Sequence, residues 1–404
     1  MNEAMLCATE AMKSKWRHFA KEMQQEGPSS GSGARGELII LGSGIAHADL
    51  AISDEPTIRS ADHVFHCLYD RVTEVWLNNL RPDALDLRIL YDPNYPRHDT
   101  YVCMAEAMLH YVRKGRKVVA IFYGHPGIFA TPTHRAVNIA RREGHSATMR
   151  PGISALDHLV ADVGFDPMIP GLLSYEASDL LLRQRRLDHT VHTVIWQVGT
   201  VGEFGFAPMG FENRGFPMFV EYLAKAYGWE GEATHYIAPQ YAGLTPLIAR
   251  HTLRELLQDE VRNGITALST FYIEPIAEVP TDLASAEALG FRVNPGQQPN
   301  LRYDIGGYTA VEREALRRFS SFEPPSHYST SVGSPATELL LALSREPALL
   351  AIYKRDPSKA LADPRFAHLS ARSRQLMAID HPWAFNAAIA EQPLQVGIQE
   401  LAGQ

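Results

Sequence analysis

An unbroken apolar run with β-branched residues, Val118-Val119-Ala120-Ile121-Phe122, ends after Tyr123 in Gly124-His125-Pro126-Gly127. Such a run suits a strand buried on both faces of a parallel sheet, which points the chain toward an α/β fold. In an open α/β sheet, ligands gather outside the carboxyl ends of the strands, and glycines there let the main chain approach them closely. Downstream, Thr131-Pro132 reads as N-cap and first helical residue, with Gly144 as the stop. Strand, glycine loop and helix form a binding-site grammar, although an ordinary βα connection shares it.

The chain has 404 residues, enough for two or three domains, and its 45% hydrophobic content supports full cores. A net charge of −8, with both signs dispersed, disfavours nucleic acid and anionic membranes as partners. Cys7, Cys67 and Cys103 form no CxxC, which excludes a disulfide framework, gives no zinc pattern and fits a reducing cytoplasm. Neither a membrane-spanning run nor a signal peptide is evident. Seventeen histidines include no HExxH and no cluster at ligand spacing, so no metal is expected.

Residues 1–36 read as a mixed-charge helix through Trp16, Phe19 and Met23, followed by the Gly/Ser-rich stretch 27–36; a frayed extension on a flexible linker is the expectation. The first core strand, Leu38-Ile39-Ile40-Leu41, runs into Gly42-Ser43-Gly44. A third glycine is missing, because His47 stands there, so this is a weak dinucleotide signal. It does supply a second glycine turn that can lie beside the first at one sheet edge. Further strands are expected at 63–67, 193–198, 234–238 and 269–273, with helical spacing at 104–113, 154–163 and 218–227. The stretch Leu87–Tyr101 reads as a long proline-bearing loop carrying Tyr91, Tyr95, Arg97, Asp99 and Tyr101, either a site or an aromatic surface patch. From Pro275 to Pro335 the pattern dissolves into a proline-rich connector with one helix near 309–319. Beyond it, Ser334-Pro335, Glu346-Pro347, Asp356-Pro357 and His381-Pro382 read as helix starts of a small bundle.

Taken in order, Leu41-Gly42-Ser43-Gly44, Tyr91 through Arg97 to Tyr101, Phe122 to Gly127, Pro151 to Ala155, Tyr175 to Ser178, Gln197-Val198-Gly199, His235 to Ala238 and Ser269 to Tyr272 resemble the borosin peptide-backbone α-N-methyltransferases. The resemblance covers about residues 37–393. It implies the tetrapyrrole-methylase (class III methyltransferase) fold of two α/β subdomains, 37–150 and 151–275, with S-adenosylmethionine between them. A clasp or connector (276–334), a helical precursor-type domain (335–391) and a tail with a possible core peptide (392–404) would follow. It also implies an interlocked homodimer whose connector wraps the partner and whose tail enters the partner's site.

The same resemblance implies Arg97, Tyr101, Tyr91 and Tyr123 as the catalytic group: Tyr101 the base, Arg97 its charge partner and oxyanion stabiliser, Tyr123 a positioning hydroxyl. Where the family can carry a further tyrosine, this chain has Arg88, which either adds a cation near the substrate or faces water. The methyl donor, released as S-adenosylhomocysteine, is assigned to Gly42, Gly44, Tyr123, His125, Gly127, Ile128, Phe129, Ser154, Ala155, Gln197, Tyr236, Ala238 and Thr270. His125, inside its turn, reads as structural more than as a base. The expected substrate is a peptide, either the chain's own tail around Val396-Gly397-Ile398 or a separate precursor. A tetrapyrrole or precorrin methylase and a non-catalytic peptide-binding scaffold are the rival readings.

Overall fold

Five strands, β1 (Glu37–Gly42), β2 (His63–Cys67), β3 (Leu85–Asp86), β4 (Lys117–Phe122) and β5 (Ser146–Met149), form a first sheet in the order β3-β2-β4-β1-β5. All of its pairings are parallel. In this computed structural model the described residues are 3–26, 33–207, 210–290, 310–326, 328, 333–379 and 381–391. The apolar runs of β1 and β4 are adjacent because both are covered on each face: Leu38, Ile40, Val118, Val119 and Ala120 have no exposed surface. Burial of each larger side chain contributes about 1.5–3 kcal/mol.

A second sheet follows, with β6 (Leu172–Glu176), β7 (His192–Trp196), β8 (Glu232–Ile237), β9 (Leu247–Thr252) and β10 (Thr270–Ile273) in the order β6-β7-β10-β8-β9. Here only β6 and β7 run parallel, and β10 is antiparallel to both neighbours. Both sheets lie in one compact unit, Met1–Leu50 with Ala61–Tyr303.

The helix Glu3–Glu26 is not the frayed extension expected from the sequence. Trp16 and Phe19, three residues apart on one helical face, are buried in the core of the first sheet, where Phe19 meets Phe65 edge-on at 5.9 Å. Trp16 Nε1 donates to Asp86 O at 3.0 Å, and Glu22 pairs with Lys114 and accepts from the Tyr111 hydroxyl. Two buried aromatic rings outweigh the ordering cost of a terminal helix.

The second unit combines Ala51–Ser60 with Asp304–Gln404. Its helices Pro335–Arg345, Pro347–Arg355, Pro357–Leu361 and Pro382–Glu391 each start on a proline, as the sequence indicates. Their core is built from Leu339, Leu343, Leu349, Leu361, Phe366, Leu369 and Met377. The proposed core cluster Val396-Gly397-Ile398 lies outside the described residues. Among the described residues no helix is long and apolar enough to cross a membrane.

Candidate active site

The two glycine turns meet as the sequence suggested. Gly124 N donates to Gly44 O at 2.9 Å, at the carboxyl ends of neighbouring strands β1 and β4. A Cβ on Gly42 would stand 2.4 Å from the Gly124 carbonyl oxygen. One on Gly44, whose φ is +71°, would stand 2.0 Å from Asp49 Cβ. The Asp49 carboxylate accepts from Ile45 N and Ala46 N and pairs with His158. Gly42 and Gly44 therefore serve the close packing of two loops, and neither lines the cavity described next.

Beside these turns opens a cavity of about 640 Å³, a size suited to a cofactor or small ligand. From the β4 turn and the following loop come Tyr123, His125, Gly127, Ile128 and Phe129; from the end of β7, Trp196 and Gln197; from the start of β10, Ser269 and Thr270. Ser154 and Ala155 enter where the helix Ala155–Val163 begins, Ser154 being its N-cap with Asp157 closing the capping box. Arg97, Tyr101, Tyr91 and Tyr69 line it as well, so one guanidinium and four phenols, counting Tyr123, converge. Among the described residues no carboxylate lines it.

Arg97 and Tyr101 do not sit on a loop, as the proline-rich lead-in suggested. Pro96 caps the helix Arg97–Arg113, which places the pair in its first turns, four residues apart on one face. Arg88 neither joins the site nor faces water freely: its guanidinium is held by Asp86 and by Glu74 at 2.6 Å. Tyr236 and Ala238 are also absent from the lining. Tyr236 is buried with its hydroxyl donating to Asp162 at 2.6 Å, a core anchor.

Burial governs the protonation of the cavity wall. It pushes the phenols of Tyr69, Tyr91 and Tyr123 above the ordinary tyrosine value, against the positive charge of Arg97 in the first two cases. The Cys67 thiol is pushed up to about 12, which keeps it protonated and unreactive. His235, behind Ser269 with Nε2 2.7 Å from its Oγ, is pushed down to about 4 by burial and then by His251. His125 Nδ1 accepts from Gly127 N at 3.0 Å, closing its turn while the residue lines the cavity.

Two lining residues that are not glycine, Phe129 (φ 52°) and Gln197 (φ 58°), adopt left-handed backbone, and the Phe129 ring meets Trp196 at 6.3 Å. Strained backbone of this kind concentrates at ligand sites. Tyr69, Trp196, Phe206 and Phe211 carry no signal of their own in the sequence, and Ser269 enters there only as the first residue of the stretch to Tyr272. Tyr69 lies two residues past the end of β2, so the carboxyl-end rule applied to that strand finds it. Among the described residues no cluster of metal-ligating side chains occurs.

Residues 37–256 match the family model of tetrapyrrole (corrin/porphyrin) methylases. The chain is 40% identical over 340 residues to a methyltransferase/ribosomally synthesized type III borosin cyclic peptide precursor of Anomoporia bombycina, covering 80% of this chain and 39% of that protein. It is 38% identical over 370 residues to a type I borosin precursor methyltransferase of Mycena rosella, covering 89% and 91%. To the lentinulin A precursor methyltransferase of Lentinula edodes it is 36% identical over 376 residues, covering 89% of each. With these similarities spanning both the sheets that build the cavity and the helices beyond them, the chain is a methyltransferase of the tetrapyrrole-methylase family and belongs to its borosin branch.

Proposed function

We propose that the chain transfers methyl groups from S-adenosylmethionine to backbone amide nitrogens of a peptide, its own tail first, across a homodimer. The observation that carries this reading is the joint presence of Arg97 and Tyr101 on one helical face in a cavity whose wall, among the described residues, has no carboxylate. The relatives, each named as methyltransferase and peptide precursor in one protein, support a peptide as substrate.

A peptide nitrogen is a weak nucleophile because its lone pair is delocalised into the carbonyl. Methylation needs a base at the N–H and positive charge or donors at the oxygen, where negative charge accumulates. Tyr101, as general base, takes the amide proton and later returns it to solvent. Arg97 supplies the charge at the carbonyl oxygen. Tyr91 and Tyr123, held neutral by burial, act as hydrogen-bond donors and not as competing bases. The aromatic and apolar wall of Ile128, Phe129 and Trp196 fits a sulfonium donor, since ring faces attract cations and no carboxylate would bind it too tightly to release. The donor supplies an electrophilic methyl group and departs as a neutral thioether, so the nitrogen–methyl bond forms as the sulfur–methyl bond breaks.

Peptide mapping by mass spectrometry, after incubation with donor, tests the reading. Methyl groups on backbone nitrogens between Leu394 and Leu401 are the expected result. An unmodified tail with methylation of a separately supplied peptide overturns self-modification and keeps the chemistry. Methylation of a tetrapyrrole alone overturns both.

A further inference from the structure

Arg97 begins a helix, the end where the macrodipole disfavours a cation, so its place needs support from elsewhere. That support comes from backbone 108 residues away along the chain. Nε and Nη2 donate to Gly205 O at 3.3 and 2.9 Å, Nη2 donates to Glu203 O at 3.3 Å, and the Arg97 amide donates to Phe204 O at 3.3 Å. The Phe211 ring lies 5.5 Å from the guanidinium carbon, and Phe206 stacks on Tyr91 with centroids 4.9 Å apart. These groups belong to a loop closed at its neck by the buried Asn213. Its Oδ1 accepts from Val201 N at 2.8 Å, and its Nδ2 donates to Val198 O at 2.9 Å. Gly202 N donates to Ser178 Oγ at 3.0 Å and ties the neck to the helix Ala177–Leu182.

We propose that the stretches Val201–Ala207 and Gly210–Asn213 together are a positioning element for Arg97, an inference that rests on the peptide-methylation reading above. A guanidinium offers five N–H donors in a rigid fork. The carbonyls of Glu203 and Gly205 engage its Nε/Nη2 edge, and Phe211 holds one face. The Nη1 group, which has no partner among the described residues, is left for the substrate's amide oxygen in the cavity that Arg97 lines. Glu203, Gly205 and Phe211 thus act through Arg97, while Phe206 fixes Tyr91 from the same loop. Because the contacts to Arg97 are made by main-chain carbonyls, the shape of the loop matters more than the identity of residues 203 and 205.

The test is a kinetic series on the full chain with peptide and donor, together with calorimetry. Phe211→Leu keeps an apolar side chain and loses the ring; the expected result is a fall in kcat of about 2- to 30-fold, with the donor Kd unchanged and Phe211→Tyr restoring the rate. Asn213→Gly, which keeps the left-handed φ of 51° accessible but opens the neck, lowers kcat in the same way. Added guanidinium ion rescues Arg97→Ala, because the carbonyl slot remains, and fails to rescue Arg97→Ala/Phe211→Leu. Equal rescue of both, or unchanged kcat in Phe211→Leu and Asn213→Gly, overturns the proposal. Absence of any amide methylation by the unmodified protein sinks the functional reading instead. The slot is then still judged by calorimetric binding of guanidinium to Arg97→Ala, with and without Phe211→Leu, no difference overturning it.

Discussion

The side-chain amide of Gln240 donates a 3.2 Å hydrogen bond to the phenolic oxygen of Tyr123, joining the loop after β8 to the end of β4. With that oxygen accepting from Gln240, the phenol's own proton is directed elsewhere, and burial keeps it on the ring oxygen. Tyr123 is thereby set as a donor at the cavity. Gln240→Leu removes this constraint; kcat/KM falls by about 2- to 12-fold, the equivalent of one net hydrogen bond, with little change in melting temperature. Steady-state kinetics beside a thermal melt check both halves.

On the proposed reading, Tyr101→Phe and Arg97→Ala each remove a group that acts on the amide and not on the methyl donor. Methyl transfer drops by about 100-fold or more in each variant, while donor affinity in calorimetry stays at the level of the unmodified protein. Arg97→Lys does not restore the rate, since an ammonium cannot reproduce the two-nitrogen edge that meets Gly205 and Glu203.

His66 on β2 is fully buried, and neither ring nitrogen has a hydrogen-bond partner among the described residues. Burial pushes it down to about 4 from the ordinary 6.5, against the opposing charge of Asp86. Below 6.5 the unfolded chain takes up a proton that the folded one refuses until about 4. Its contribution is therefore fully present above 6.5 and is lost as pH falls toward 4, a change on the order of 3 kcal/mol. His66→Leu removes that slope and, by deleting two unsatisfied nitrogens, raises stability at neutral pH by about 1–3 kcal/mol. Chemical denaturation at pH 7 and pH 5 measures it.

Trp16→Ala tests the docked N-terminal helix. Losing a buried indole and its bond to Asp86 O costs about 3–5 kcal/mol and lowers the melting temperature. A frayed helix would show no change.

β1 and β4 are legible in the sequence because strands covered on both faces must be continuously apolar. The proline-started helices are equally plain, since proline at the first helical position satisfies a local rule. Arg97 and Tyr101 were recognisable as a pair but not as helical, because the prolines before them look like a continuing loop. Phe206 and Phe211 left no periodic signal at all. Their partners, Tyr91 and Arg97, are over a hundred positions upstream, and a loop shaped by such distant contacts has no pattern of its own. The docking of the N-terminal helix is hidden for a related reason: Trp16 and Phe19 mark an apolar face, but nothing local says what covers it.

The second unit draws Ala51–Ser60 from between β1 and β2, with Ile58 fully buried, and takes the rest of its chain from residue 304 onward. During synthesis this early segment emerges long before the helices that belong with it. A cut near residue 304 would release a unit lacking one of its own pieces. Fusion of the two units in one polypeptide is thus a condition for the second to be complete, which ties the supply of the helical unit, molecule for molecule, to that of the enzyme.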